Sequence, residues 1–373
     1  MKLLIQPDNG IKPLLEALRK AKKSIRILIF RFDRAEIEKA LVAAAARGVS
    51  VHALIAYTNQ GEEKNLRRLE MRLLAQGITV GRTADDLVRY HGKMFIIDDK
   101  SLYVLGFNFT HLDIDLSRSF GVGISKPGLV KEAVRLFECD AKRQPYTGGK
   151  DDLVVSPINA RKRLTEFIGG AKKRLLLYEM KISDNDFLKL LNKKISDGVE
   201  VRILSRASTK NGGMTVRKLT SRLHLRAILR DGDAAFVGSQ SLRKLELEAR
   251  REIGVIFRDK AIVKQMEAVF EKDWKQSEPV VEKEAVAAFN IPASKVAKEV
   301  AKHISIKPMV EQVLDKVIDR KDDSSFEPEE VAQTVKEAFR EEVHGAVVDA
   351  LQGLVAKTAL EQEESKSTGR GKQ

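Results

Sequence analysis

Two short histidine–cation motifs carry the residue types in this sequence that could do chemistry. They are His91-Gly92-Lys93 and His224-Leu225-Arg226, and an aspartate follows each histidine by seven residues, Asp98 and Asp231. One imidazole can act as a nucleophile and a second as a proton donor, while a nearby cation neutralises phosphoryl oxygens. The two motifs therefore predict a site that acts on a phosphodiester.

The chemistry needs a division of labour between the two motifs. A neutral imidazole can attack phosphorus and form a phosphohistidine, and a protonated one can donate to the leaving alcohol. Lys93 and Arg226 can hold the phosphoryl oxygens, and Asn108 can add neutral donors. The sequence has six histidines, a single cysteine (Cys139) and no HExxH or CxxC spacing, so we expect no metal and no other cofactor.

The motifs lie in an internal repeat of long period. Each half shows the order helix, strand, helix, glycine and strand, with Gly48 and Gly198 where a helix C-cap belongs. Around each motif the pattern predicts strand, turn and strand, which would place the histidine and the cation on one face. Alternating helices and strands predict an α/β sandwich in each half. The predicted elements are helix 11–23, strand 24–30, helix 35–47, strand 49–57, helix 62–76 and strand 78–82, then helix 159–171, strand 173–179, helix 187–197 and strand 199–205.

The sequence predicts four regions. Residues 1–150 and 151–278 form two related α/β lobes, residues 279–360 have helical composition with apolar residues at three-to-four spacing, and residues 361–373 form a disordered tail. The C-terminal helices could pack on the body or on each other, cover the site, join subunits or bind a surface.

The positive charge is concentrated in the part that carries the motifs. The chain has a net charge of +14, but residues 281–373 hold 14 Lys and Arg against 18 Asp and Glu, which leaves +18 on residues 1–280. Such a field attracts polyanions, namely nucleic acid, anionic lipid surfaces or phosphorylated substrates.

The first motif, His91-x-Lys93-x4-Asp98 followed by Gly106 and Asn108, resembles the signature of the phospholipase D superfamily. The second copy, from His224 to Ser239, resembles it with arginine in place of lysine. The likeness covers roughly residues 1–275. It implies two pseudo-symmetric lobes whose motifs meet at one site, a covalent phosphohistidine, and His91 as the nucleophile with His224 as the acid.

The resemblance also implies a downstream glutamate that orients each histidine. Glu252, which follows the second histidine, fits this role. The position at the same spacing after the first histidine is Ser119, so we expect the first half to have lost its carboxylate, with Asp113 or Asp115 as the alternatives.

Other departures from the pattern bear on activity. Arg226 keeps the charge of a lysine but not its shape, and Ser241 stands where a second asparagine is expected. Asp98 and Asp231 have two interpretations, as members of the site or as structural residues that hold strands or pair with arginine.

Three functions agree with these features. The first is a phospholipase D-like phosphodiesterase that hydrolyses or exchanges phospholipid headgroups. The second is a metal-independent nuclease of the same fold, although aromatic residues for base stacking are only 6% of the chain. The third is a non-catalytic polyanion-binding protein with a degenerate site. Cardiolipin synthesis ranks lower, because such enzymes usually carry N-terminal membrane segments.

The expected partners and location follow from the same observations. The chain shows no apolar run long enough to span a bilayer, and we expect a cytoplasmic protein whose membrane contact, if any, is peripheral. Because both motifs lie in one chain, a monomer can form a complete site.

Overall fold

The computed structural model describes residues 1–57, 63–149, 152–205 and 214–279. The predictions for the C-terminal helices and the tail lie outside these residues. Residues up to 149 are called the first lobe here, and residues from 152 the second lobe. Each lobe has one large mixed sheet, so the predicted α/β class is confirmed.

The first lobe has a sheet whose main path is β1-β8-β7-β6-β2-β3-β4. The helices α1, α2 and α3 pack on one face of this sheet around a core that includes Leu14, Leu41 and Leu69. In chain order the elements are β1 (Lys2–Gln6), α1 (Lys12–Arg19), β2 (Ser24–Ile29), α2 (Ala35–Ala46), β3 (Ser50–Ile55), α3 (Glu63–Ala75), β4 (Thr79–Arg82), β5 (Arg89–Tyr90), β6 (Met94–Ile97), β7 (Ser101–Leu105), α4 (His111–Asp115), β8 (Ser117–Ile124) and α5 (Pro127–Ala141).

The second lobe has a sheet with the order β18-β12-β11-β10-β14-β15-β17-β9. Helices α6 and α7 pack on it around Leu164, Phe187 and Leu191. Its elements are β9 (Leu153–Val155), α6 (Ala160–Gly169), β10 (Arg174–Tyr178), α7 (Asn185–Ser196), β11 (Glu200–Ser205), β12 (Thr215–Lys218), β13 (Arg222–Leu223), β14 (Arg226–Arg230), β15 (Ala234–Gly238), α8 (Lys244–Glu248), β16 (Arg250–Arg251), β17 (Ile253–Phe257), α9 (Lys260–Gln276) and β18 (Glu278–Pro279).

The two sheets repeat one another strand for strand. β1-β8-β7-β6-β2-β3-β4 corresponds to β9-β17-β15-β14-β10-β11-β12, as the internal repeat predicts. Gly48 and Gly198 follow equivalent helices and have φ of 82° and 83°. Residues with a Cβ rarely adopt this conformation, so the predicted glycine C-caps are confirmed. The predicted helices and strands are present, with ends that differ from the prediction by a few residues.

The strand, turn and strand predicted around each motif are present as β6–β7 and β14–β15, but the histidines lie outside these strands. Residues 91–93 lie in the link between β5 and β6, and His224 precedes β14, so neither histidine–cation pair lies wholly within a strand. The hairpins β6–β7 and β14–β15 begin after the histidines. Residues 91–93 join two strands without belonging to either, and the alternation of polar and apolar residues does not show where a strand is interrupted in this way.

The lobes share a third core between their sheets. Phe120 of β8 meets Tyr178 of β10 edge to face with ring centroids 5.4 Å apart, and Phe270 of α9 packs against the same tyrosine at 5.1 Å. Edge-to-face contacts of this kind favour one relative placement of the two aromatic surfaces. The apolar interface therefore fixes how the two histidine motifs face each other.

Candidate active site

The backbone of each motif is held by the opposite lobe. β5, just before His91, pairs in parallel with β16 of the second lobe, and the amide of His91 donates to the carbonyl of Arg251 at 2.8 Å. β13, just before His224, pairs in parallel with β8 of the first lobe, and the amide of His224 donates to the carbonyl of Arg118 at 3.1 Å. Both histidines are therefore anchored at the junction between the lobes.

The glycine in the first motif permits this close approach. A Cβ on Gly92 would lie 2.6 Å from the side chain of Ile253, a residue of β17 in the second lobe. Its amide also donates to the carbonyl of Arg251 at 3.0 Å. A larger residue would push the first motif away from the second lobe.

His91 is nearly buried and is held by two charged groups. Its Nδ1 lies 2.8 Å from Oε2 of Glu252, and Nζ of Lys93 lies 2.8 Å from its Nε2. Phe30 closes one side of the imidazole, edge to face at 4.5 Å. The ammonium of Lys93 is also 3.0 Å from Nδ1, so it lies against the ring close to both nitrogens, and the contact with Glu252 fixes the orientation of the ring.

His224 has the same kind of partner. Its Nδ1 lies 2.8 Å from Oδ2 of Asp113, whose other oxygen accepts from Arg222 at 2.7 Å. Asp113 lies in α4 and is 2% exposed, so its carboxylate depends on these partners. Each histidine thus faces a carboxylate from the opposite lobe.

This crossing corrects the assignment of the carboxylates. Glu252 contacts His91, whereas the sequence repeat placed it with the histidine of its own half. The first histidine has therefore not lost its carboxylate, although Ser119 does stand at the position that aligns with Glu252. Aligning the two halves shows which residues are equivalent, but the packing of the lobes brings each histidine its carboxylate from the other half.

Neither Asp113 nor Asp115, the alternatives expected for His91, contacts that histidine. Asp113 reaches a histidine, but it is the second one. Asp115 instead pairs with Arg34 and with His111, whose Nδ1 is 2.7 Å away. Ser119 is fully buried, and its hydroxyl has no hydrogen-bond partner among the described residues.

Asn108 supports Asp113 rather than standing open as a donor. Its side-chain amide donates to Oδ2 of Asp113 at 2.7 Å, and its backbone amide donates to the same oxygen at 2.9 Å. Ser241 takes the equivalent place in the second lobe, where its backbone amide donates to Glu246 at 2.8 Å. Replacing asparagine by serine therefore keeps the backbone contact and loses the side-chain one.

Arg226 is buried beside carboxylates that the motifs alone do not reveal. Its Nε donates to the hydroxyl of Ser241 at 3.0 Å, and its Nη2 lies 3.9 Å from Glu246. Glu179, just after β10, is also buried, and burial raises its pKa to about 7 although Arg226 opposes this. The signal for Glu246 was its spacing, since it follows His224 at the same distance in sequence as Asp113 follows His91.

The first motif is poised in its uncharged form. Burial, then Lys93 and Arg226, hold the pKa of His91 well below its usual range. Burial also lowers the pKa of Lys93 to about 7, with Glu252 opposing that change. An uncharged imidazole at neutral pH is the form that can attack phosphorus.

The second motif has stronger anionic support. Burial lowers the pKa of His224 to about 4, with the carboxylate of Asp113 opposing it and Arg226 and Lys93 adding to it. Burial raises the pKa of Asp113, but His224 and Arg222 outweigh burial and bring it below its usual range. Asp113 is therefore an anion that can stabilise a protonated His224.

Asp98 and Asp231 are not brought to this site. Each lies at the turn of its hairpin with φ of 55°, beyond the far end of the strand that follows the motif. Asp98 accepts from the backbone amides of residues 22–24 at 2.6 to 3.0 Å, and Asp231 does so from residues 172–174 at 2.7 to 2.9 Å. The geometry favours their structural interpretation, because both carboxylates are used to hold the start of a strand.

The described residues show neither a metal-binding cluster nor a membrane-spanning helix. No group of three or more His, Cys, Asp or Glu side chains there has the arrangement of a metal site. In the same part of the chain, each helix is too short or too polar to cross a membrane.

The fold and the paired motifs place the chain in a known family. A family model described as "Cardiolipin synthase, PLD-like domain" matches residues 14–141 and 164–274, one segment in each lobe. These segments make up more than half of the 373 residues and include both motifs. The chain belongs to this phospholipase D-like family, which confirms the resemblance.

Individual relatives are distant. The chain is 22% identical over 337 residues to the probable cardiolipin synthase YwiE of Bacillus subtilis (strain 168), a match that covers 74% of this chain and 66% of the relative. The match thus spans slightly less than two thirds of that protein.

Two solved structures share the fold. The polyphosphate kinase of Porphyromonas gingivalis superposes with a TM-score of 0.63 at 19% identity, over 72% of this chain and 46% of that one. The phosphatidylserine synthase of Haemophilus influenzae Rd KW20 gives 0.59 at 11% identity, over 75% and 87%. At these identities the likeness establishes the two-lobed fold alone.

Proposed function

We propose that this protein is a phospholipid-processing phosphodiesterase that works through a covalent phosphohistidine on His91, with His224 as the general acid. The observation that carries the proposal is the crossed pair of contacts, His91 with Glu252 and His224 with Asp113, each at 2.8 Å between lobes. Two imidazoles with their Nδ1 atoms held in this way can present both Nε2 atoms to one phosphoryl group.

The first step is attack by Nε2 of His91 on phosphorus. Glu252 accepts from Nδ1–H, which keeps the lone pair on Nε2 and stabilises the positive charge that the ring gains. Lys93, 2.8 Å from that nitrogen, and Arg226 neutralise the non-bridging oxygens. The bond from phosphorus to the leaving oxygen breaks, and His224 gives that oxygen its proton.

His224 must be protonated when the substrate is bound. Its pKa is low because the ring is buried and because Arg226 and Lys93 face it, against the opposing charge of Asp113. A bound phosphodiester brings a negative charge against both cations, while Asp113 still faces the ring from the other side. Both anions raise the affinity of His224 for a proton.

The second step regenerates His91. His224, now neutral, takes a proton from water or from an alcohol, whose oxygen attacks the phosphohistidine and breaks the P–N bond. Water gives hydrolysis and an alcohol gives transfer. The same site supports both outcomes, and the acceptor that reaches it selects between them.

Phospholipid is the substrate we favour. The matched family is described as a cardiolipin synthase domain, and the Bacillus relative carries the same name. These descriptions support transfer of a phosphatidyl group beside headgroup hydrolysis, and thus oppose the low rank assigned to cardiolipin synthesis from the sequence.

A nuclease is the second candidate, and the net charge of +18 on residues 1–280 favours it. Both candidates use the same attack on phosphorus and differ in what the cleft binds. A non-catalytic role would need a degenerate site, whereas both imidazoles here keep a carboxylate partner.

Turnover of bis(p-nitrophenyl) phosphate by the wild type, His91→Ala and His224→Ala tests the mechanism. We expect His91→Ala to lose turnover, with His111→Ala as an exposed-histidine control that retains it. Full activity of His91→Ala would contradict the proposal. Headgroup release from mixed micelles, set against cleavage of DNA by the same samples, decides between the two substrates.

A further inference from the structure

A group of arginines lies beside the proposed nucleophile and has no part in the mechanism above. Arg89 and Arg250 are partners in the parallel pair of β5 and β16, so their side chains stand next to each other across the lobe junction. Like charges directly opposite in a ladder are destabilising. Two guanidinium groups in register therefore indicate a role other than stabilising the ladder.

Carboxylates neutralise only part of the charge of this pair. Among the described residues Arg89 makes no ion pair, whereas Arg250 lies 3.4 Å from Glu246, an oxygen that Arg243 also contacts at 3.3 Å. Burial, then Arg250 and Arg31, lower the pKa of Arg89, and the carboxylates of Glu252 and Glu246 oppose that change. Two adjacent cations of this kind can bind an anion, which would neutralise their charge.

Arg89 lies close to the imidazole of His91. The guanidinium of Arg89 is 5.4 Å from the ring centroid of Phe30, and the His91 ring is 4.5 Å from the same centroid. Guanidinium and imidazole therefore contact the same phenyl ring. Two groups separated by no more than one side chain can each hold a phosphoryl group of one small molecule whose phosphates are joined by a short linker.

We propose that Arg89 and Arg250 form a second anion subsite, which binds a further phosphoryl group of the substrate while the scissile one lies between the two imidazoles. Guanidinium groups suit this task because their planar donors match phosphate oxygens in pairs. The subsite favours phospholipids whose headgroup carries a second phosphoryl group over those with a single phosphodiester. This inference rests on the proposed function for the position of the first phosphoryl group.

Direct binding tests the subsite without relying on turnover. Calorimetry on the full chain would compare 1,3-propanediol bisphosphate with propyl phosphate. We expect the wild type to prefer the bisphosphate by about tenfold or more, because one charge-assisted contact has about that effect. Arg89→Gln/Arg250→Gln should bind the two probes within about threefold of each other.

A matched control removes the same charge elsewhere. Arg19→Gln/Arg47→Gln replaces two exposed arginines at the C-terminal ends of α1 and α2. They are neighbours, because Arg47 donates to the carbonyl of Arg19. We expect this variant to keep the preference. If it loses the preference as fully as Arg89→Gln/Arg250→Gln does, general electrostatics explain the binding and the subsite is wrong.

Folding of the double variant is checked by its melting temperature. Removing the like-charge pair stabilises the double variant, whereas losing the contact of Arg250 with Glu246 destabilises it, so we expect a Tm close to that of the wild type. Arg89→Lys, which keeps the charge without the planar donors, should retain only part of the preference. A preference unchanged in both variants would overturn the proposal.

The outcomes separate the subsite from the proposed function. If bis(p-nitrophenyl) phosphate is turned over but the variants keep the preference, the subsite fails alone. If no phosphodiester is turned over yet the preference depends on Arg89 and Arg250, the proposed function fails alone. Tighter competition by short oligodeoxynucleotides than by micellar lipid with a terminal phosphate would overturn the lipid assignment.

Discussion

Lys93 is a charged side chain held entirely inside the protein, and replacing it by methionine should stabilise the fold. Lys93 is 0% exposed, and burial lowers its pKa from 10.5 to about 7. The difference of about 3.5 corresponds to about 5 kcal/mol, at about 1.4 kcal/mol for each pKa unit. That is the cost of keeping this ammonium charged in the native protein, and methionine of similar length avoids it.

The sign of the pH dependence follows from which state binds the proton. Between pH 7 and 10.5 the unfolded lysine is protonated while the native one is not, so the cost declines as the pH rises. Lys93→Met should therefore be more stable than the wild type by about 5 kcal/mol at pH 6 and by about 2 kcal/mol at pH 9.

Urea unfolding of the two proteins at both pH values measures the difference, since titration of the other groups largely cancels. Lys20→Met, at an exposed lysine that follows α1, is the control and should change little. Equal stability of Lys93→Met and the wild type at pH 6, or a gain that does not shrink at pH 9, would refute the reasoning. The stabilised variant should lose phosphodiester turnover, because it lacks the cation beside Nε2 of His91.

Three further predictions concern the same site. Asp113→Asn should lower kcat by about 100-fold, because general acid catalysis has about that effect and asparagine cannot stabilise a protonated His224 as the carboxylate does. NMR should show the ring of His224 perturbed more than that of His91, and the reverse order would contradict the crossed pairing. In wild type kcat/KM should fall above pH of about 7 as Lys93 loses its proton, and Lys93→Arg should lack this fall because a guanidinium stays charged; an identical fall in both proteins would assign it to another group. Asp98→Ala should lower the free energy of unfolding by about 2 kcal/mol through the loss of its bonds to backbone amides, while folded protein still turns over substrate; a loss of turnover equal to that of His91→Ala would return Asp98 to the chemistry.

The fold could be predicted from the sequence because each half shows the same local order of helices and strands. Gly48 and Gly198 mark the ends of equivalent helices. The histidines and their cations were found because they stand at equivalent positions of the two halves. The strand prediction for residues 91–93 failed because pairing with the other lobe, rather than the local pattern, sets that backbone.

The partners of the histidines could not be predicted by comparing one half with the other. Glu252 and Asp113 reach across a pseudo-twofold axis, so the residue that aligns within a half is not the one that makes the contact. Arg89 and Arg250 lie in different halves of the sequence and meet only through the pairing of two very short strands. Such contacts depend on the packing of the lobes, which the order of elements does not specify.

The most direct test of the central claim is to trap the covalent intermediate. His224→Ala, mixed with a phosphodiester whose leaving group needs no proton, such as bis(p-nitrophenyl) phosphate, should accumulate a phosphoryl adduct because the base for the second step is absent. Mass spectrometry of peptides prepared at alkaline pH should place the adduct on His91. An adduct on another residue, or release of p-nitrophenol with no adduct on the protein, would contradict the account.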